Sequence, residues 1–330
     1  MSLFQTHAWQ SAWWEVWGRE NNFDLVREWG DGRSGLYLSR YRIKGLIPAT
    51  SLEFVGCSYR NLRSTRTEYN SFRKDSESVG LSAAALKSLL TTRWSEAVFN
   101  DLIEDSEDTV ALRTLARQEG WLVRETAADA AWHVNTDGLF RTYLKSLGSN
   151  TRLRLYNRRS VLETTGAIST ENCFAGCTDP GAFFRRLNEF HRRRWGKPVY
   201  GDKALAFNTL FLQRVQQEGG EPQLSLLKCN DGVISVLYNV KYQGCVYNLQ
   251  SGFEETFHPK LALGTLHLGY AIEEAFNDPE VSRFDMLAGS GKKENYKARI
   301  ATGSCQLVSL MVVRNPLLKV LYRLKDSKAN

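Results

Sequence analysis

The 330-residue sequence predicts a mixed α/β chain, an α+β arrangement on a mixed sheet, divided into two domains. Three observations carry that expectation. A single core seldom grows past about 250 residues, so a chain of this length divides naturally into halves of roughly 150. Strand-like and helix-like segments alternate through the first half. In the second half the hydrophobic periodicities run in the order β-α-α-β-β-β-α-β-α-β.

Hydrophobic residues make up 42% of the chain and charged residues 24%, and no apolar stretch approaches the roughly 20 residues that cross a bilayer. A soluble globular protein is expected. The start, MSLFQTHAWQSAWWEVWG, lacks the basic segment and apolar run of a secretory signal, which points to the cytoplasm. Six cysteines, at 57, 173, 177, 229, 245 and 305, are scattered. The close pair Cys173 and Cys177 has no matching Cys or His pair, so reduced thiols are expected rather than zinc ligands or disulfides. The formal charge of +7 favours anionic partners, unless it is only a solvated surface. Arginine is densest from Arg152 to Arg159 and in the triplet Arg192, Arg193, Arg194.

Along the first half, Trp9, Trp13 and Trp17 recur every four residues, a helical stripe for packing. Strands are expected near 35–43 and 51–57, followed by the polar loop SYRNLRSTRTEYNS at 58–71. A helix near 81–91, a strand near 96–103, a helix near 107–119 and short strands near 121–125 and 131–134 complete the half. A helix after Thr136 and Asp137 ends at Gly148, and Ser149 caps another that reaches about Gly166. These boundaries give an N-terminal domain of 1–148, a C-terminal domain of 149–314 and a basic tail helix at 315–330.

From 167 onward a strand is followed by helices near 181–194 and 204–218. Three strands follow near 223–229, 233–241 and 245–251, joined by the hairpin signals Asn230-Asp231-Gly232 and Gln243-Gly244. The loop FHPKLALGT leads into a helix of about 265–277, then the strand RFDML, the turn Gly289-Ser290-Gly291 and a short helix with Asn295, Tyr296 and Lys297. A last strand near 305–313 precedes the tail helix.

That element order is the order of the GCN5-related N-acyltransferase (GNAT) fold. The stretches YNLQSGFEETFHPKLALGTLHLGYAIEEAF and FDMLAGSGKKENYKARIA resemble the BioF2-like, CelD-like acetyltransferase family, which is related to the FemAB peptidyltransferases. FQTHAWQSAWWEVWG and YLKSLGSNTRLRLYNRR resemble it too, so the likeness covers nearly the whole chain. It implies tandem GNAT-like domains with an interdomain cleft, the acceptor side contributed by the first domain.

In a GNAT-like site the donor's pyrophosphate lies on the loop before a helix, where backbone amides and the helix dipole receive it. Here that loop places His258, Lys260, Gly264 and Thr265 as the cofactor-binding candidates. Only Gly264 keeps the usual R/Q-x-x-G-x-G/A form. Tyr296 stands where many such enzymes place a general acid, the alternative being a tyrosine packed between helix and sheet. By the resemblance Lys297 is a charge-stabilising or phosphate-binding group, the alternative being a surface lysine. Asp285, at a strand end, accepts the amine proton or caps a loop.

The loop from Arg63 to Asn70 sets guanidiniums, a carboxylate and a ring close together. Either it only solvates a turn, or Glu68 is the base while Arg63, Arg66, Tyr69 and Asn70 bind substrate. Arg152, with Arg154 and Arg158, is a candidate for a nucleotide phosphate, and Tyr247 joins the substrate contacts. His191 and His267 read as satisfied helix residues. No metal-spaced His cluster, Walker loop or Ser-His-Asp order competes.

Three functions follow. The first is an N-acyltransferase moving an acyl group from acyl-CoA to the amine of a small metabolite or amino sugar in a biosynthetic pathway. The second is a FemAB-like aminoacyl transferase with aminoacyl-tRNA as donor, which would make tRNA a partner and suits the basic charge. The third is a non-catalytic binding module. No metal is expected in any of them.

Overall fold

A computed structural model describes residues 1–30, 33–60, 62–72, 81–174, 180–289 and 296–327. Cys177, Ser290, Gly291 and Asn295 lie outside the described residues. The chain forms two units, Met1–Ala130 with Cys305–Asn330, and Ala131–Ser304. This differs from the expected division at 148 and 314, for two reasons of packing. The last strand pairs in the first unit, and residues 140–155 pack in the second.

In the first unit, helix α1 (His7–Trp13) runs on through a π-helical turn, Trp14–Gly18. Thr6 caps it, the hydroxyl accepting from the Trp9 amide at 3.1 Å. Trp9, Trp13 and Trp17 are all buried, as their spacing predicts. Next come β1 (Asp24–Arg27), β2 (Leu36–Ile43), β3 (Ile47–Phe54), α2 (Ala83–Thr91), β4 (Glu96–Ile103), α3 (Glu107–Gln118) and β5 (Leu122–Asn135). From the far end of the chain come β11 (Gly303–Val313) and α11 (Pro316–Asp326). The strands order as β1-β2-β3-β4-β11-β5, with β3 and β4 parallel and β4 and β11 antiparallel. Residues read as two short strands near 121–134 are one strand of 14 residues. Ala127, Ala128, Ala130 and Ala131 depress strand propensity in the middle, and pairing with neighbouring strands overrides it.

One face of this sheet buries Phe54, Phe72 and Phe99, whose ring centroids lie 4.7–4.9 Å apart. On another cluster, Leu318 and Tyr322 of α11 pack with Ala49, Val98, Met311 and Val313. The buried Glu96 accepts from the Tyr41 and Tyr322 hydroxyls and from Arg60, so a charge-assisted network ties α11 to the sheet.

Glu53 on β3 is fully buried, and among the described residues no cation pairs with it. Its carboxyl accepts from the Tyr59 amide at 2.7 Å, the Ser39 hydroxyl at 3.1 Å and the Tyr37 hydroxyl at 3.3 Å. Burial raises its pKa, and these donors offset only part of the rise. The folded state therefore keeps the proton at a pH where the unfolded chain has lost it. Stability from this site is complete below about 4.5 and falls as pH rises through the folded value. Glu53→Gln is expected to flatten the fall in melting temperature between acid and neutral pH; an unchanged pH profile would refute this.

The second unit opens with α4 (Phe140–Ser146), α5 (Ser149–Arg152), a π-helical turn at Leu153–Asn157 and α6 (Arg159–Glu163). Then follow β6 (Ile168–Asn172), α7 (Gly181–Trp195), α8 (Asp202–Val215), β7 (Glu221–Cys229), β8 (Gly232–Tyr242), β9 (Cys245–Phe253), α9 (Leu263–Asn277), β10 (Arg283–Asp285) and α10 (Tyr296–Ile300). The last residues of β5 lead a sheet ordered β5-β10-β9-β8-β7-β6. Gln243 and Gly244 between β8 and β9 have φ of 46° and 74°, the two positive values that a tight hairpin turn demands. Leu268, Ala271, Ile272 and Ala275 of α9 bury against Leu237, Val246 and Phe284. Gly269 lets α9 come so close to the π-helical turn that a Cβ there would collide with the Leu155 carbonyl.

Candidate active site

The parallel strands β9 and β10 pair only from Cys245 to Tyr247, opposite Arg283 to Asp285. Beyond Tyr247, β9 continues for six residues paired to β8 alone, so the two strands part. The register opposite β8 slips at the same place: Asn248 faces Asn239 and Gln250 faces Tyr238, leaving Leu249 as an extra, bulged residue. Helix α7 lies on the parted strand. Gly252 sits against Leu187 and Phe190, and His191 Nε2 bonds the Ser251 carbonyl at 3.0 Å. Burial lowers the His191 pKa, with Arg194 adding to the effect.

At the end of β9 stands the start of α9. A Cβ on Gly264 would collide with the Phe253 ring, so the glycine is required for this close approach. Ala262 at the N-cap offers no side-chain cap, and the amides of Leu263, Gly264 and Thr265 precede the helix's first internal bonds. His258 closes a turn just before, accepting from the Lys260 amide at 3.2 Å, while Leu261 bonds back to the His258 carbonyl at 3.0 Å. The Lys260 side chain is exposed.

After β10 the chain makes a strained turn, with Leu287 at φ 59° though buried. Asp285 fixes it by accepting from the Leu287 amide at 2.8 Å, and its other oxygen lies 3.6 Å from Arg283. Arg283 also donates to His133 Nδ1 at 2.5 Å, and burial together with that guanidinium pushes the His133 pKa down to about 4. Lys297 gathers the same turn, its ammonium donating to the carbonyls of Leu287 at 3.1 Å and Ala288 at 2.7 Å. Tyr296 beside it packs on the core of the second unit. Burial raises its phenol pKa and the charge of Arg194 draws it partly back. Tyr247 is buried directly across from Asp285.

By composition alone Arg194 does not stand out from its triplet. Its guanidinium lies 4.8 Å from the Phe253 ring and 5.2 Å from Trp195, and reaches Glu255 at 3.6 Å. The signal was present: Phe183, Leu187, Phe190 and Arg194 are spaced four, three and four apart, so this arginine alone of the three continues the buried stripe of α7. Arg193 instead pairs with Glu254.

The remaining candidates have other placements. In the first unit, Arg66 is held by Asp101 at 2.8 and 2.9 Å, Asp129 at 3.0 Å and Glu68 at 3.5 Å. Its fork is thus already engaged by carboxylates. Glu68, Tyr69 and Asn70 are buried. The Asn70 amide donates to the carbonyls of Thr67 and Asn100, and Tyr69 takes a φ of 54°. Arg63 is exposed. In the second unit, Arg152 donates at 3.4 Å to the carbonyls of Leu144 and Leu147, closing the end of α4. His267 is fully buried between the hydroxyls of Ser225 at 3.0 Å and Ser235 at 2.9 Å, a satisfied helix residue. Among the described residues there is no group of three His, Cys, Asp or Glu able to hold a metal, and no helix long and apolar enough to cross a membrane.

Two parallel strands that part beside an uncapped helix start define a GNAT-like acyltransferase fold. Residues 149–298 match the family described as Acetyltransferase (GNAT) domain. Similar solved structures include FemX, at 12% identity and a TM-score of 0.57 over 95% of this chain and 93% of that one. The C-terminal domain of a putative lysylphosphatidylglycerol synthetase from Agrobacterium fabrum follows at 8% identity and 0.52, over 96% and 91%. L-PGS from Bacillus licheniformis gives 10% and 0.50, over 93% and 91%. At these identities the likeness is one of fold. No curated protein matches the sequence.

Proposed function

We propose that this protein is an N-acyltransferase that passes an aminoacyl group from aminoacyl-tRNA to an amine, at the opening between β9 and β10. The observation that carries acyl transfer is the parting of those strands beside the open amides of α9, with Lys297 and Tyr296 on the facing turn. In the reaction the amine nitrogen bonds to the acyl carbon, the bond from that carbon to the carrier breaks, the nitrogen releases a proton and the carrier oxygen takes one up. Tyr296, whose burial holds the proton on the phenol, is the donor to that oxygen. Lys297 keeps the strained turn in place and puts positive charge near the developing oxyanion. Arg194 and the α9 amides take phosphate of the carrier.

The choice of carrier rests on the loop before α9. Only Gly264 keeps the glycine pattern of a pyrophosphate cradle, and the Lys260 and Leu261 amides are already bonded to His258. The basic charge and the FemAB-like resemblance agree with an RNA-borne donor. Acyl-CoA is the competing carrier, favoured by the match to the acetyltransferase family.

The test combines charged tRNA, acetyl-CoA and longer acyl-CoAs with the purified protein. Retention of charged tRNA that weakens steeply with salt is expected, with transfer abolished by ribonuclease. Transfer that survives ribonuclease, or thermal stabilisation by a thioester of about 2.7 kcal/mol at a hundredfold excess over Kd, would move the assignment to acyl-CoA. Tyr296→Phe is expected to lower kcat/KM about a hundredfold or more, the scale of a general acid, and Lys297→Ala about a hundredfold, the scale of a lost oxyanion-stabilising charge. A binding module without catalysis would be indifferent to both.

A further inference from the structure

Helix α11 presents two apolar faces. Leu318 and Tyr322 face inward to the sheet of the first unit. Leu317, Val320, Leu321 and Leu324, at spacings of three, one and three, form a second stripe, and they are 54%, 53%, 36% and 56% exposed. Arg323 and Lys325 are exposed and flank this stripe on either side. The helix's acid, Asp326, is turned away into a two-pronged pair with Arg124 at 2.7 and 2.5 Å, and Lys319 is bonded to the Gly120 carbonyl. The inner cluster also takes in Ile43 and Ile47, which flank the β2–β3 turn. That turn carries Leu46, 78% exposed, next to Gly45 and the exposed Lys44.

We propose that α11, with the β2–β3 turn beside it, docks on an anionic lipid surface. An apolar stripe edged by basic residues and free of an acid matches a bilayer interface, where acyl chains lie beneath headgroup phosphates. A second copy of the chain fits less well, because a two-fold contact along this stripe sets Arg323 and Lys325 against their own equivalents. The face lies in the first unit, whereas the residues assigned to acyl transfer lie in the second.

Co-sedimentation of the full chain with vesicles tests this, comparing equal parts of phosphatidylcholine and phosphatidylglycerol with phosphatidylcholine alone. Binding to the anionic vesicles that weakens with salt is expected. Val320→Gln/Leu324→Gln and, separately, Arg323→Gln/Lys325→Gln are each expected to reduce it at least about tenfold while leaving the melting temperature unchanged, since all four side chains are exposed. Absence of binding by the unaltered protein, or full binding by either variant, overturns the proposal. So does a lipid-free dimer that the apolar variant dissociates, which would assign the stripe to a second copy.

Discussion

Between pH 6.5 and pH 4.5 the second unit is expected to lose about 2 kcal/mol of stability through His267 alone. Burial pushes the folded pKa of this imidazole down to about 3 from 6.5. The unfolded chain takes up a proton as pH drops below 6.5 and the folded chain does not, so stability is complete above 6.5 and declines with acid. Two pH units at about 1.4 kcal/mol each, less about 0.4 kcal/mol because the unfolded imidazole is already half protonated at pH 6.5, give the figure. His133, lowered for want of solvent and by Arg283, acts in the same direction. Urea unfolding at both pH values, run on the wild type and on His267→Gln, measures the difference. The variant should start less stable, having disturbed the bonds to Ser225 and Ser235, yet show a shallower acid decline. Equal declines would show that His267 is protonated in the folded state.

Gly269→Ala is expected to destabilise the second unit by about 3 kcal/mol or more, although alanine favours helix by up to about 1 kcal/mol. The new Cβ would press on the Leu155 carbonyl, and a backbone atom in a packed turn cannot step aside as a flexible side chain does. Gly148→Ala is the control, because its φ of −55° suits any residue and nothing lies within 4 Å of the added carbon. Calorimetry of both variants decides; a Gly269→Ala protein melting with the control would mean that α9 and the turn at 153–157 are further apart than described.

The order of elements was legible because each segment of the second unit carries its own period and its own turn chemistry. Asn230-Asp231-Gly232 and Gln243-Gly244 announce their hairpins without help from the rest of the chain. Pairing was not legible. Nothing local in 305–313 says that its ladder partner is β4, some two hundred residues earlier. The alanines of β5 hide one strand as two for the same reason: what holds it extended is its neighbours.

The candidate site divides similarly. That Lys297 and Asp285 gather on one turn was legible, since with Tyr296 they belong to one short connection. The loop from Arg63 to Asn70 looked like a receptor for anions because its own acid, Glu68, was visible and the acids of β4 and β5 were not. Asp101 and Asp129 reach Arg66 from those strands, at 35 and 63 residues' remove. Arg194 shows the converse, a useful position concealed by two similar neighbours and recoverable from helical phase.

The extra residue at Leu249 makes β9 two half-strands of opposite parity. Val246 packs with α9, whereas Gly252 lies beneath α7, though both are even-numbered and a regular strand would turn them to one side. Phe253 is odd-numbered and again meets α9. A relative lacking the bulge therefore agrees with this chain about inside and outside on one side of position 249 and contradicts it on the other, so that an ungapped comparison across the strand exchanges the residues facing the two helices.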